Sequence, residues 1–444
     1  MSRIVLTTIG SLGDLHPFIA LGLGLRDRGH GVVFATVTDY RTKIESLGFE
    51  FRSIRPDHIA VDDPKMLALM MALQKGTERV IREYILGSLR ETYADLMDVA
   101  QNSDFIVSHE VVYAAPLVAE MLKIRWASCT LAPGAFFSAY DPIVLPPFPA
   151  LAKLRILGPS VNQRVMDFAK FVTRDWGEPI HQLRQKLGLA PVGNPIIDDK
   201  FSPYLVLALF SSLLGTPQPD WAPNTVVTGF TFYDSNGKSG LTPELNRFLD
   251  GGEPPIVFTL GSAAVLSAGD FYEESVQAAK TLDRRAVLLV GKNPPPKDLP
   301  ASIVAFDYVP YSELFPRACA IVHQGRIGTT AQGLRAGHPT LVVPYSHDQP
   351  DNAARLERLG TSRTISRKNY RATWASKELS ALLNNSSYSS KAKEVSRIIQ
   401  SENGGTMHLL KLAHPCVEMS VGVTKEGLEE RGNRVLGLSV GVIR

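Results

Sequence analysis

The chain has 444 residues, of which 44% are hydrophobic and 20% are charged, and its formal net charge is +3. This composition is that of an ordinary globular protein of two or three domains, so it excludes a disordered or collagen-like chain. A charge so close to zero gives no electrostatic basis for binding nucleic acid, and we expect no nucleic-acid partner.

Cysteine usage and the first residues suggest a compartment. The three cysteines, at 129, 319 and 416, cannot form a disulfide framework and lack the spacing of zinc ligands. The start, MSRIVLTTIGSLGDLHP, is unlike a signal peptide, and no window of ~18 residues is uncharged and apolar enough for a transmembrane segment. We therefore expect a cytoplasmic protein, leave peripheral membrane contact open, and predict no oligomeric state.

The first region of the chain alternates strands and helices. Arg3–Thr8 has the composition of a strand, the helix that follows is predicted to begin at Pro17, and Val32–Thr36 is the next strand. The same pattern returns within residues 104–130. Such alternation predicts an α/β fold with a parallel sheet.

A second region of the same kind begins after a Pro- and Gly-rich section at 214–255, where Ile256–Leu260 is predicted as a buried strand. We place the two domains at residues 1–225 and 226–414, facing each other across a cleft, which is a common place for a ligand. Residues 415–444 have neither helical nor strand periodicity, and we expect an atypical tail with little order.

The segment 323–330, His-Gln-Gly-Arg-Ile-Gly-Thr-Thr, follows a predicted strand and begins a helix. Backbone N–H groups at a helix start lack internal partners and bind phosphate, and glycines allow close approach of the anion. His323 and Thr329 add donors, and Arg326 adds a positive charge. The alternative is an ordinary strand-to-helix turn with a capping threonine.

Two further turns carry polar side chains at the ends of predicted strands. Asp348 and Gln349 offer acceptor oxygens and an amide donor suited to sugar hydroxyls, although they also fit a turn that caps the next helix. Asp14 and His16 are candidates for a general base at the first turn, with helix capping as the alternative.

Two blocks of the sequence together carry a resemblance. GSLGDLHPFIALGLGLRDRGH near the start and HQGRIGTTAQGLRAGHPTLVVPYSHDQPDNAARLERLG about 300 residues later resemble the family-1 nucleotide-sugar-dependent glycosyltransferases, in their bacterial and sterol-glucosyltransferase branch. The similarity extends over roughly residues 1–410. It implies the GT-B fold, with two Rossmann-like domains, the first binding the acceptor and the second the nucleotide-sugar donor.

The resemblance also implies roles for individual residues. Tyr308 matches the ring that stacks on uracil, Asp14 matches the base position, and His16 is a rival base that Glu110 would orient. The residues that match the donor site of the family are Gly261, Ser262, Tyr308, Val309, His323, Gly325, Arg326, Gly328, Thr329, Asp348 and Gln349.

The implied reaction is inverting transfer of a hexose, in the first place glucose from UDP-glucose, to a hydroxyl of a small lipophilic acceptor such as a sterol, polyphenol or macrolide. Phe136, Phe137 and Tyr140 are candidates to line the acceptor pocket, with core packing as the alternative. We expect no cofactor, and the lack of an Asp-x-Asp motif predicts no bound metal.

Arg326 departs from the family pattern, because this branch usually has glycine at that position. A charge beside the diphosphate would tighten binding of the UDP product or obstruct the donor. It also leaves open an alternative function, a degenerate GT-B protein that binds nucleotide or lipophile without turnover.

Overall fold

The computed structural model describes residues 1–57, 69–234 and 240–402, and these form two parallel sheets covered by helices. The strands of the first sheet are β1 (Arg3–Thr7), β2 (Gly31–Thr36), β3 (Glu50–Ser53), β4 (Phe105–His109), β5 (Arg125–Thr130), β6 (Val206–Ala208) and β7 (Thr225–Val227). Those of the second are β8 (Ile256–Thr259), β9 (Ala286–Leu289), β10 (Ile303–Phe306), β11 (Ala320–His323), β12 (Thr340–Val342) and β13 (Ser362–Thr364).

Helices connect the strands. They are α1 (Leu12–Arg26), α2 (Arg41–Ser46), α3 (Gly76–Arg79), α4 (Leu89–Ala100), α5 (Ala114–Leu122), α6 (Pro159–Thr173), α7 (Glu178–Lys186), α8 (Pro243–Asp250), α9 (Gly261–Ala264), α10 (Phe271–Thr281), α11 (Tyr311–Leu314), α12 (Ile327–Ala336), α13 (Gln349–Leu359), α14 (Ala372–Asn384) and α15 (Ser386–Ser401). Shorter 3-10 turns include Pro133–Phe136 and Pro149–Leu157, and Val80–Ile85 is a π-helical turn.

The strand order explains where a ligand site belongs. The orders are β3-β2-β1-β4-β5-β6-β7 and β10-β9-β8-β11-β12-β13, and all the described strand pairs are parallel. The direction of winding therefore reverses between β1 and β4 and between β8 and β11. Ligands of such sheets bind at the carboxyl ends of strands at this reversal. The two reversal points are thus the expected places for chemistry.

The predicted α/β architecture is confirmed, and one helix start is corrected. The central residues of β1 and β8 are buried on both faces, as expected for strands between two helical layers. The helix predicted to begin at Pro17 begins earlier, at Leu12, and Pro17 lies inside it. The carboxylate of Asp14 accepts hydrogen bonds from Ser11, and this local capping begins the helix before the proline.

The predicted boundary between residues 225 and 226 falls within β7, so the first sheet extends to Val227. The helix α8 already belongs to the second domain, since Leu245 and Leu249 pack in one apolar cluster with Val257 of β8. The predicted tail, residues 415–444, lies outside the described residues.

The two domains are joined by polar contacts as well as by the chain. Arg355 of α13 is fully buried and forms ion pairs with Asp351, at 2.7 Å, and with Asp141 of the first domain. The other carboxylate oxygen of Asp351 accepts a hydrogen bond from the backbone of Val144 at 3.0 Å. The loop that follows residue 137 is therefore held by the second domain.

The last described helix, α15, returns toward the first domain. Ser396 donates to the carbonyl of Arg335 on α12, at 2.6 Å. Beyond the helix, the carboxylate of Glu402 accepts a hydrogen bond from Ser211 of the first domain, also at 2.6 Å. The second domain is thus tied to the first at both of its ends.

Candidate active site

The first turn, after β1, places a carboxylate at the start of α1. Asp14 is buried, and its Oδ2 accepts hydrogen bonds from the backbone N–H of Ser11 at 2.7 Å and from its hydroxyl at 3.0 Å. Gly10 has a φ of +137°, and a Cβ there would lie 2.4 Å from Asp14 Oδ2, so glycine gives the carboxylate its space. The site of Asp14 therefore follows from a short local sequence.

The second turn, after β11, places an imidazole beneath the start of α12. His323 Nδ1 accepts a hydrogen bond from the backbone N–H of Gly325 at 3.1 Å, so we assign the proton of the neutral ring to Nε2. Burial lowers the pKa of His323 to about 3. Its Nε2 is buried without a partner among the described residues, so the Nε2–H can donate a hydrogen bond to an oxygen atom of a ligand.

The loop after β8 packs against this second turn. Gly261 has a φ of +67°, and a Cβ on it would lie 2.2 Å from the side-chain nitrogen of Gln324. That nitrogen donates to Thr329 Oγ1 at 3.3 Å. The neighbouring Tyr311 hydroxyl lies 2.8 Å from Thr259 Oγ1 at the end of β8. The predicted donor residues Gly261 and Thr329 are therefore brought together, although they are 68 residues apart in the chain.

The two turns meet at an ion pair. Arg326 Nη2 lies 2.9 Å from Asp14 Oδ2 and 3.1 Å from Asp14 Oδ1. Backbones also approach here, since a Cβ on Gly328 would lie 3.4 Å from the Cα of Gly13. Burial acts to raise the pKa of Asp14, but the Arg326 guanidinium, His109 and the Ser11 donors together bring it below its usual value. Asp14 correspondingly raises the pKa of Arg326.

The segment after β12 completes the second side of the site. Asp348 Oδ2 accepts hydrogen bonds from the backbone N–H of Ile327 at 3.2 Å and from Asn352 at 2.7 Å. Burial raises the pKa of Asp348 although Arg326 opposes it. Gln349 Oε1 accepts from the backbone of Tyr345 at 2.7 Å, and its Nε2 is buried without a partner among the described residues.

In the structure, His16 and Glu110 each contact a different residue. The ring of His16 packs against Tyr233 with centroids 5.3 Å apart, and burial lowers its pKa to about 4. Glu110 instead forms an ion pair with Lys200 at 3.0 Å. Lys200 is 90 residues away in the sequence, so the position of Glu110 after its strand could not reveal this partner.

The residues expected at the acceptor and the uracil have different environments. Phe136 is buried and lies between Trp221 and Phe201, with ring centroids 4.0 and 5.1 Å apart, so its side chain belongs to the core. Phe137 is half-buried, whereas Tyr140 is exposed. Tyr308 is 63% exposed, and its neighbour Val309 is buried. Ser262 is exposed beside Gly261.

Three residues at the site were not predicted. His109, at the end of β4, faces Asp14 and lies 3.4 Å from Thr8 Oγ1 through its Nδ1. His347 lies near Arg326 and Asp14, has a φ of +58°, and has a pKa lowered by burial to about 4. Gln324 contacts Thr329, as described above. His109 ends a strand, and Gln324 and His347 lie within a quoted block, so these positions were the available signal.

The described ranges contain no group of three or more His, Cys, Asp or Glu side chains arranged to hold a metal ion. They also contain no helix long and apolar enough to cross a membrane.

Comparison with known proteins agrees with this geometry. Residues 4–125 match the glycosyltransferase family 28 N-terminal domain, and residues 273–406 match the C-terminal domain of erythromycin biosynthesis protein CIII-like proteins. The chain is 34% identical over 379 residues to the O-mycaminosyltylonolide 6-deoxyallosyltransferase of Streptomyces fradiae, covering 81% of this chain and 84% of that protein. The chain belongs to the GT1-type glycosyltransferases.

Other relatives of this glycosyltransferase support the same assignment. The sterol 3-beta-glucosyltransferase UGT80A2 of Arabidopsis thaliana is 30% identical over 380 residues, which are 78% of this chain and 55% of the plant protein. Among solved structures, the glycotransferase of kitacinnamycin superposes with a TM-score of 0.69 at 20% identity, covering 93% of this chain and 98% of that one. VinC in complex with DTDP has a TM-score of 0.64 at 18% identity, covering 92% and 98%. These structures show the GT-B fold.

Proposed function

We propose that this glycosyltransferase transfers a hexose with inversion from a nucleoside diphosphate sugar, in the first place glucose from UDP-glucose, to a hydroxyl of a macrolide- or sterol-like acceptor. The observation that carries the proposal is the meeting of two turns. A buried carboxylate, Asp14, faces a helix start at which His323 Nε2 is a donor with no partner among the described residues. The proton acceptor, Asp14, and the anion site at the start of α12 thus lie on opposite sides of the contact between the two turns.

The chemistry divides between the two turns. Asp14 takes the proton of the acceptor hydroxyl, whose oxygen forms a bond to the anomeric carbon as the bond from that carbon to the phosphate oxygen breaks. The diphosphate leaves with the bonding electron pair. The first-turn N–H groups of α12 other than that of Ile327, together with the Nε2–H of His323, stabilise its charge, because they are oriented before the reaction begins.

Sugar binding is assigned to the segment after β12. The Nε2 of Gln349 supplies an unused amide donor, since its oxygen is bonded to the backbone of Tyr345. Asp348 is held by Ile327 and Asn352, so its carboxylate has a fixed orientation next to the helix start. A planar carboxylate and an amide at adjacent positions suit neighbouring sugar hydroxyls.

The names of the relatives support the class of acceptor, and the ligands of two solved structures indicate which donors should be compared. The Streptomyces fradiae relative is named for transfer to a macrolide, and the plant relative for transfer to a sterol. Two structural neighbours, VinC and SpnG, were solved with thymidine diphosphate. UDP and thymidine diphosphate sugars are therefore the donors to compare.

The test is product formation by the full chain. UDP-glucose and dTDP-glucose are each incubated with a macrolide aglycone, a sterol and a polyphenol, and products are identified by mass spectrometry. We expect a β-linked glucoside from the α-linked donor, with UDP-glucose the better donor and with no loss of rate after treatment with a chelator. Nucleotide binding without product from any acceptor would contradict the proposal.

A further inference from the structure

Arg326 occupies a position that its own helix disfavours. It is the residue before α12, where the aligned peptide dipoles give partial positive charge and favour an anion. Its side chain is mostly buried and reaches across to Asp14 in the first domain. A cation at this place is stabilised only by anions that the rest of the molecule, or a ligand, brings to it.

The contact with Arg326 leaves Asp14 poorly suited to act as a base. Oδ2 accepts three hydrogen bonds, two from Ser11 and one from Arg326, and Oδ1 accepts another from the same Nη2. The guanidinium also lowers the pKa of the carboxyl, against the effect of burial. A general base needs a free lone pair and a proton affinity close to that required by the reaction.

The turn around Arg326 has donors to spare. Both hydrogen bonds to Asp14 use Nη2, and Nε and Nη1 donate to no acceptor among the described residues. In the same part of the fold, His323 Nε2 and Gln349 Nε2 are both buried and have no partner within the described ranges of the chain. A diphosphate would satisfy these donors, and it carries more negative charge than a single carboxylate.

We propose that the diphosphate of the donor draws Arg326 away from Asp14, and that this movement makes Asp14 competent as the base. The inference rests on the proposed function, since it takes the donor at this turn and the base at Asp14. Arg326 is then a positioning residue: it ties the base while the site lacks a diphosphate and frees it when one is bound. The acceptor hydroxyl is deprotonated only when the sugar is in place.

Proton uptake on nucleotide binding tests the proposal without turnover. With Arg326 removed from Asp14, burial dominates and the pKa of the carboxyl rises, so diphosphate binding at mildly acid pH adds protons to Asp14. The groups that face Asp14 are Arg326, Asp348 and His347 of the second domain and His109 and Tyr40 of the first. The difference in proton uptake between wild type and Asp14→Asn is the contribution of Asp14 alone, separated from that of the other groups and of the nucleotide.

The measurement is isothermal titration of the full chain with UDP, and with dTDP, in buffers of different ionisation enthalpy between about pH 4.5 and 6. We expect wild type to take up about 0.3–1 proton more than Asp14→Asn, which keeps the shape of the side chain without its charge. In an Arg326→Gln background the same Asp14→Asn difference should vanish, since no guanidinium holds the carboxyl before binding.

The outcomes separate this inference from the proposed function. Equal uptake by wild type and Asp14→Asn, with binding intact, overturns the movement of Arg326 and leaves the glycosyltransferase mechanism standing. Failure of wild type to bind either nucleotide overturns both. Thermal unfolding of each variant, with a midpoint close to that of wild type, shows that the compared proteins are folded.

Discussion

The turns after β1 and after β11 are built on the same plan and carry opposite charges. Each follows the strand beside a reversal point and begins a helix. Asp14 is an anion in the first turn of its helix, where the peptide dipoles and the Ser11 donors stabilise it. Arg326 is a cation at the start of its helix, where the same dipoles oppose it.

The comparison shows two ways of placing a charged residue in a site: Asp14 has a charge that its own helix favours, whereas Arg326 has one that its helix disfavours. The first turn satisfies its charged residue within four residues, so it can hold the carboxylate in place whatever the second domain does. The second turn leaves Arg326, and the nearby donors of His323 and Gln349, dependent on an outside anion. A residue whose charge conflicts with its own helix is a good candidate for one whose contacts depend on a ligand.

The largest expected effect comes from breaking the first turn. Asp14→Asn removes the proton acceptor and should lower kcat by on the order of 10³-fold, as loss of a general base does, while the nucleotide still binds. The rival base is the matched control. His16 is half-buried and packs against Tyr233, with a pKa of about 4, so His16→Asn should cost less than about tenfold in kcat. Steady-state rates with a saturating donor measure both, and the reverse order of effects would make His16 the base.

A smaller effect is expected from the second turn. His323→Ala removes the buried Nε2 donor and should raise the Kd of the nucleoside diphosphate by about tenfold, since one hydrogen bond contributes about 1–1.5 kcal/mol. Thr340→Val is the control, because the Thr340 hydroxyl is also buried and lacks a partner in the described part of the chain but lies on β12 within the sheet. Calorimetric titration with UDP should give an unchanged Kd for the control. A loss of affinity in Thr340→Val as large as that in His323→Ala would contradict the specific role of His323.

The smallest expected effect is the difference in stability between two glycine variants, one of them at Gly261, which packs beneath the second turn. Gly261 and Gly188 have nearly equal φ angles, +67° and +69°, but a Cβ meets Gln324 at 2.2 Å in the first and has no neighbour within 4 Å in the second. Gly188→Ala should lower the free energy of unfolding by about 1 kcal/mol through backbone strain alone. Gly261→Ala should lower it by about 1 kcal/mol more, because buried Gln324 must move. Urea unfolding measures both, and equal losses would show that Gln324 moves without cost.

Much of the fold and part of the site could be predicted from local sequence. The strands that end near Thr7 and His323 are short runs of β-branched residues followed by turns, and such patterns act over a few residues. Pro17 predicts a later start of α1 than the structure shows, because the hydrogen bonds between Asp14 and Ser11 already begin the helix at Leu12. Both signals are local, and the capping is the stronger of the two.

The partners of the charged side chains could not be predicted in the same way. Asp14 and Arg326 are 312 residues apart, and the pairing of Glu110 with Lys200 crosses from one strand end to a distant loop. Such contacts depend on how segments that are distant in the sequence are placed relative to each other in the fold. The hydrophobic periodicity of each segment carries no information about that placement. The roles assigned to the predicted donor and acceptor residues stay predictions, because they concern ligands.

The return of α15 has a consequence for engineering. A chimaera that exchanged whole domains between relatives would ordinarily be cut once, in the connection after β7. Here Ser396 belongs with α12 while Glu402, six residues later, belongs with Ser211 of the first domain. A transplanted second domain therefore needs a second junction within α15, so that each end of that helix keeps the partner with which its side chains fit.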